Sequence, residues 1–433
     1  MTMKVLKKIG KVLLAIVLII ACIAVIGLNY KTVLAGHKIK DIVDSAKSVE
    51  DIDIPDNVKI VGVGEATHGS VEFQNLKLEI FKMLVENKGF TAFCLEADFG
   101  DCIEANNYIQ GGDGTAREIV NNMAFTIYHT QQMADILDWM REYNSSVTED
   151  KHLRFYGFDM QNPEKCVNEL YSYMKSNNIT GIDVSGIDYF VDEKRSEAMT
   201  SADKEQVKKE LTEIKKAIES VSSGDNDFDK NCALHLVDNI ETSVNYVSLS
   251  FQDKYAERDQ KMADNVSWIL EQEKTIGTGK IMLAAHDGHV AKKGQSMYMT
   301  ITMGGALKEK YGEGYYSLGT DFFKGMSNVS VSRAISDTYQ RKDFYVTTAD
   351  PIAYQAKYVN DKRFYLDFES TAGKENKKVC DLIHSSISMG SVGEGFTELY
   401  YLFHSAYRVE MAPAELYDGM IFYYKVGPTS PQY

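Results

Sequence analysis

Val58-Lys59-Ile60-Val61-Gly62-Val63 runs directly into Gly64-Glu65-Ala66-Thr67-His68-Gly69. An apolar, β-branched run that stops at glycine, glutamate and histidine reads as a buried strand opening onto a loop. Polar, titratable residues at the carboxyl end of such a strand are where open α/β sheets hold their ligands. The arrangement recurs twice. Thr91-Ala92-Phe93-Cys94-Leu95 leads into Glu96-Ala97-Asp98, and Lys280-Ile281-Met282-Leu283-Ala284-Ala285 leads into His286-Asp287-Gly288-His289. Three strand ends thus offer Glu65, His68, Glu96, His286 and His289 to one place, the makings of an acid–base or metal site.

Outward from the first strand, at about 58–63, the alternation continues. Ser70 to Asn87 has helical spacing, with Phe73, Leu76, Ile80, Phe81, Leu84 and Val85 apolar. Gly89 ends it, where a residue free to take positive φ is useful. A second strand at 91–96, helices at 98–109 and 116–143, and a third strand at 153–158 ending on Asp159 follow. This β-α-β-α order predicts an α/β fold with a largely parallel central sheet flanked by helices. Residues 164–275 lack strands and are polar; they read as a helical insertion capping the site, with helices over Lys204–Val221, Asn231–Ser248 and Tyr255–Gln272. The sheet resumes at 280–285, with later strands at 315–320, 344–348, 363–368 and 421–425. The expected α/β domain spans 57–433.

The N-terminus reads differently. Lys4, Lys7, Lys8 and Lys11 precede Val12–Leu28, which carries no charge. A membrane-spanning helix needs ~20 apolar residues, with ~17 as the lower end, and the lysines would hold the N-terminus in the cytoplasm. The expectation is a transmembrane anchor over 1–29, a juxtamembrane linker and entry helix over 30–56, and a single-pass cell-membrane protein with its domain outside the cytoplasm. A cleaved signal peptide, ending near Leu34-Ala35-Gly36, and lipidation at Cys22 are the rivals. The net charge is −15, without a basic stripe, which argues against nucleic acid as a partner. The six cysteines are dispersed and form no disulfide scaffold.

The chemistry begins at His68. An imidazole of pKa ~6.5 is a usable general base near neutrality, and a carboxylate on its second nitrogen would hold one tautomer. Glu65 and Glu96 suit that task. His286 and His289 would then polarise a carbonyl, stabilise an oxyanion or protonate a leaving group. No GxSxG element is present, so water is the expected nucleophile. The same five residues would also suit zinc or a related divalent ion; a divalent metal stays the alternative to a cofactor-free site. Three further residues carry two readings each. His129 is structural or pocket-lining. Arg258, followed by Asp259 before Met262-Ala263-Asp264-Asn265, is a cap and ion pair at a helix start or a site residue. Asp159 is a helix cap or a pocket residue.

Together these pieces resemble the erythromycin esterase family, also labelled succinoglycan-biosynthesis proteins. The matching segments are Gly64–Gly69 with Glu72-Phe73, Leu95–Asp98, Gly157-Phe158-Asp159, Arg258-Asp259 with Met262–Asn265, and Ala285–His289. They span roughly 58 to 320. The resemblance implies an α/β core with a helical part and hydrolysis of an ester, with the macrolide lactone as the family's known substrate. It casts His68 as the base that activates water, Glu65 and Glu96 as supporting carboxylates, and His286 and His289 as the second active-site pair. A basic residue beyond the base falls on Lys77, where some members have arginine; lysine supplies charge but not a bidentate fork. The family is generally viewed as working without an essential metal. Its macrolide-inactivating members are cytoplasmic, unlike an anchored protein. The expected protein is therefore a carboxylic ester or lactone hydrolase for a small-molecule substrate, with Lys77, Asp159, Arg258 and His129 as substrate-side residues. A metal-dependent hydrolase and a non-catalytic module for haem or a glycan are the alternatives.

Overall fold

A computed structural model of the chain describes residues 11–431, apart from 12, 14, 17–18, 20–25, 28, 192–194, 197, 223–226, 296–299, 333–338, 371–373 and 375. The central sheet places β3 (Arg154–Asp159), β2 (Ala92–Asp98), β4 (Ile281–His286), β1 (Ile60–Glu65), β5 (Tyr315–Val331), β11 (Gly419–Val426) and β7 (Arg363–Asp367) side by side in that order. All neighbouring pairs from β3 to β11 are parallel; β7 runs antiparallel to β11. The fold is the expected α/β one, with a largely parallel sheet flanked by helices.

Strands β1 to β4 are buried along their whole length, as parallel strands covered on both faces must be. Side chains alternate between two cores. Val61, Val63, Phe93, Leu95 and Phe155 face the helices Val71–Lys88 and Gln131–Ser146. Ile60, Ala92, Cys94, Tyr156 and Phe158 face the other side, where helices Glu164–Ser176, Phe228–Tyr246 and Phe251–Ile276 pack. Between β3 and β4 the described chain is helical, and only its last long helix, Phe251–Ile276, brings charged groups to the strand ends.

Several expectations need correction. The segment 116–143 is not one helix. It divides into Ala116–Asn121, a 3₁₀ turn at Thr126–Tyr128, and Gln131–Ser146. The break is held by side chains: Asp101 accepts the Ala124 N–H at 2.7 Å, His129 Nε2 lies 2.8 Å from the Met123 carbonyl, and Thr130 caps the next helix. The strand expected at 315–320 continues to Val331, and its far half pairs antiparallel with β6 (Arg341–Thr347). A short antiparallel pair, β8 (Ile387–Gly390) and β10 (Arg408–Met411), had no counterpart in the sequence reading.

Residues 30–56 are not a free linker. Lys47 and Tyr365 exchange backbone hydrogen bonds of 2.9 Å in both directions, Ile39 N–H donates to Gln355 Oε1 at 2.7 Å, and Ile42 is fully buried. The segment covers the outer edge of β7, which would otherwise present unpaired backbone groups. The proposed membrane anchor, Val12–Leu28, lies mostly outside the described residues. Among the described residues no helix is long and apolar enough to cross a membrane. The longest, Phe251–Ile276, carries acidic and basic residues throughout, whereas a span needs ~20 predominantly apolar ones. The single-pass membrane placement, the membrane as partner and the extracytoplasmic location are therefore not supported.

Candidate active site

Glu65, Asp159 and His286 are the last residues of their strands, and Glu96 lies two before the end of its own. In the parallel register Glu65 of β1 stands beside His286 of β4, and Leu95 of β2 beside Ala284, so Glu96 reaches the same level. A register shift in β2 between Leu95 and Asp98 sets Asp98 opposite Asp159 of β3. Four adjacent strand ends thereby deliver their side chains to one edge. Gly64 makes the closest approach possible: a Cβ there would lie 1.9 Å from Asp287 Oδ1. Asp287 is pinned by the Thr320 N–H at 3.1 Å, and Thr320 Oγ1 accepts the Ala66 N–H at 3.0 Å, shaping the turn that carries His68.

One half of the site is built on Glu65. Its Oε1 lies 2.8 Å from His68 Nδ1 and accepts from Lys77 Nζ at 3.0 Å, while Oε2 accepts from Gln74 Nε2 at 2.9 Å. Gln74 also donates to the His68 carbonyl at 2.8 Å and accepts from Lys77 at 2.9 Å. Positions 74 and 77 fall on one face of the helix Val71–Lys88, three apart. Burial alone would raise the Glu65 carboxyl, but Lys77 and His68 outweigh it and hold it below the ordinary carboxylate value. Burial likewise opposes a charge on His68, yet the bond to Glu65 and the nearby Glu96 and Glu394 raise its pKa above 6.5. His68 Nε2 makes no hydrogen bond among the described residues, so its free nitrogen is left for a ligand.

The other half is a charge network around Glu96 and Arg258. Arg258 Nη2 donates to Glu96 Oε1 at 2.7 Å and to Asp159 Oδ2 at 2.7 Å, and its Nε donates to Asp159 Oδ1 at 3.0 Å. Glu96 Oε2 accepts the His286 backbone N–H at 2.7 Å. His289 Nδ1 lies 2.9 Å from Asp259 Oδ1, and its Nε2 lies 3.2 Å from Glu96 Oε1 and 3.1 Å from Arg258 Nη1. Burial disfavours a charged His289, but Asp259 and Glu96 dominate and push its pKa up to about 10. Despite its burial, Glu96 is held well below the ordinary carboxylate value by His289 and Arg258.

His286 stands between the halves, with its ring centroid 5.2 Å from that of His68 and 6.5 Å from that of His289. Its Nδ1 accepts the Gly288 N–H at 3.1 Å. Burial, then the neighbouring His68, bring its pKa down to about 3. The neutral ring must therefore carry its proton on Nε2, because Nδ1 is the acceptor. That Nε2 is buried and has no partner. An unpaired buried donor costs about 1–3 kcal/mol and marks a place where a ligand acceptor is welcome.

The structure brings Glu65, His68, Glu96, His286, His289, Asp159, Arg258 and Lys77 together. Lys77 is 2 % exposed and enclosed by Glu65 and Gln74, so it acts through Glu65 rather than on a ligand. His129 stands apart, bonded to the Met123 carbonyl; its neighbour Tyr128 reaches the cluster instead, donating to the Glu96 carbonyl at 2.8 Å. Gln74, Tyr128 and Glu394 were not expected as site residues, and Asp259 was read only with Arg258 as an ion pair and cap or a site pair. Asp259 had a signal, its place beside Arg258, and Gln74 had one in its spacing from Lys77. Glu394 had none: it arrives on a distant segment whose Val392 N–H bonds to the Ala66 carbonyl at 2.8 Å, and it is paired with Arg341. Among the described residues no three His, Cys, Asp or Glu side chains converge in a metal-binding arrangement. Glu65, Glu96, Asp159 and Asp259 are each paired with a cation or an imidazole.

The family model described as erythromycin esterase matches residues 85–426. The chain belongs to the erythromycin esterase family. The matched range covers Glu96, Asp159, Arg258, His286 and His289 and begins after His68. An erythromycin esterase type II of Escherichia coli is 25% identical over 300 residues, 62% of this chain and 70% of that protein. A crystal structure of a Bacillus cereus protein superposes with a TM-score of 0.73 at 24% identity, covering 91% of this chain and 92% of the other. A mutant of the erythromycin esterase EreC in its open conformation gives 0.58 at 17% identity, covering 86% and 92%. These superpositions establish an erythromycin esterase-like fold, and membership in the family implies a hydrolase of the esterase type.

Proposed function

We propose that this protein hydrolyses a carboxylic ester or lactone with water activated by His68. The observation that carries the reading is the pairing of two imidazoles of opposite character. His68 is oriented by Glu65 at 2.8 Å with Nε2 free, and His286 presents an unpartnered Nε2–H 5.2 Å away between ring centroids. In its neutral form His68 takes a proton from water as the oxygen attacks the acyl carbon. His286 Nε2–H donates to the carbonyl oxygen as negative charge develops on it; a neutral imidazole donor needs no compensating anion. When the tetrahedral intermediate collapses, the acyl–oxygen bond breaks and the His68 imidazolium returns its proton to the leaving alkoxide. Glu65, Gln74 and Lys77 hold the base, and Glu96, Asp159, Arg258, Asp259 and His289 fix the wall opposite.

The substrate class follows less directly. An E. coli relative is named an erythromycin esterase, which makes a macrocyclic lactone the first substrate to try beside simple acyl esters. The purified protein and its His68→Ala variant should be compared on both classes. General-base catalysis is worth about 10²–10⁴ in rate, so the variant should fall by that amount with its melting temperature retained. Undiminished hydrolysis by His68→Ala would remove the mechanism.

A further inference from the structure

A half-open cleft of about 920 Å³ lies beside β3, on a lining that reaches from Arg154 to Phe99, whose N–H donates to the Asp159 carbonyl at 3.1 Å. The cleft and the candidate active site draw on opposite ends of this strand. Arg154, the first residue of β3, lines the cleft, whereas Asp159, the last, binds Arg258. At ~3.3 Å per residue the separation is roughly 15 Å. The volume is that of a small-molecule site, ~300–1,000 Å³. Its walls are the helices Asp101–Ile109, Glu164–Ser176 and Phe228–Tyr246. β3 is the end strand of the sheet, and Asn106 Oδ1 rather than another strand accepts its Phe155 N–H, at 3.1 Å.

The lining has two parts. Phe99, Tyr156, Phe228 and Leu236 make an apolar floor, with Tyr156 and Phe228 edge-to-face at 6.3 Å. Glu149, Asp150, Glu169, Asp227 and Asp229 stand around the mouth. Among the described lining residues Arg154 is the only lysine or arginine, and Glu273 already holds it, with Nη2 donating to Oε2 at 2.9 Å. Lys151 and Lys165 do not line it, but Lys151 acts on Asp150 and Lys165 on Glu169. The resulting negative field registers on its neighbours. Burial, and then Asp227 and Asp229, raise the Tyr173 hydroxyl.

We propose that this cleft binds a small organic cation, an ammonium head on an apolar body. The head sits among the mouth carboxylates and over the Tyr173 face, where a cation–π contact adds to the attraction. The body lies against Phe99, Tyr156 and Phe228. An anion of the same shape is repelled, and a neutral one loses the electrostatic part.

The test uses the full chain and three probes: hexyltrimethylammonium, hexanol and hexyl sulfate, titrated by calorimetry. The cation should bind with a Kd of about 1 mM or tighter, hexanol about tenfold or more weakly, and hexyl sulfate without detectable heat. Raising the salt toward ~1 M should weaken the cation selectively, since the mouth charges are exposed and screened. Asp227→Asn with Asp229→Asn should weaken the cation about fivefold while leaving ester hydrolysis unchanged; Glu149→Gln, an exposed change on another side of the mouth, repeats the test if the pair disturbs folding. Binding should persist in His68→Ala, which separates this cleft from the active site. Equal binding of hexanol and the cation, or cation binding indifferent to these substitutions, would overturn the proposal.

Discussion

His68 and His286 stand 5.2 Å apart between ring centroids and are held on opposite sides of neutrality. His68 is raised above 6.5, chiefly by Glu65 acting against burial. His286 is lowered to about 3 by burial and by the charge on His68. Two buried imidazoles this close cannot both be charged cheaply, and the carboxylate beside one of them decides which takes the proton. In the proposed mechanism this becomes a division of labour: one ring exchanges protons, the other only donates.

The first expectation concerns pH. His68 must be neutral to accept a proton, so activity should rise with pH through an apparent pKa above 6.5 and be lost on the acid side. Glu65→Gln removes the main group that raises His68, and the acid limb of the kcat/KM profile should move to lower pH, with a lower plateau. An acid limb that stays in place would show that Glu65 does not govern the base.

Lys77→Met should act in the opposite direction. Without the cation, Glu65 serves His68 with its full negative field, and the acid limb should move to higher pH. Breaking a buried ion pair by removing one partner costs about 3–5 kcal/mol, visible as a lower urea midpoint. Retention of both midpoint and profile would mean that the Lys77–Glu65 contact of 3.0 Å is idle.

His286→Ala should lower kcat by about 10²–10³ with KM little changed, the signature of a donor engaged only as charge develops. His286→Gln, which restores an N–H, should recover part of the loss. A rise in KM alone would assign His286 to ground-state binding instead.

His289 links stability to pH. Its folded pKa of about 10 exceeds the unfolded ~6.5, so its pairing with Asp259 and Glu96 contributes fully below pH ~6.5 and is lost progressively as pH rises toward about 10. The melting temperature of the wild type should therefore fall over this range more steeply than that of His289→Gln. Parallel curves would mean that His289 is neutral in the fold.

Gly64→Ala tests the close approach of β1 to Asp287. The added Cβ meets Asp287 Oδ1 at 1.9 Å and Val290 Cγ2 at 2.8 Å, and overpacking of this kind costs about 1–3 kcal/mol. Activity should fall with stability because the same contact sets the level of His286. Gly314→Ala, whose nearest neighbour is the Tyr311 Cβ at 3.7 Å, should change neither.

The strand ends were legible because parallel strands buried on both faces show themselves as apolar runs, and Glu and His recur together at the ends of three such runs. Glu65, His68, Glu96, His286 and His289 follow from that pattern alone. The helix expected at 116–143 misled because its apolar period continues across a break held by the side chains of Asp101, His129 and Thr130. The N-terminal apolar run lies mostly outside the described residues, and among these no helix is long and apolar enough to cross a membrane.

The sequence by itself determined the α/β fold and the Glu and His residues at the strand ends, because both are written as apolar runs that stop at polar residues. The tertiary structure alone decided which histidine holds a proton, which carboxylate serves which ring, and that Lys77 braces Glu65 while His129 stays outside. Those are properties of distance and burial among groups more than two hundred positions apart, as His68 and His286 are, and the electrostatic energy that sets them depends on packing that no local pattern records.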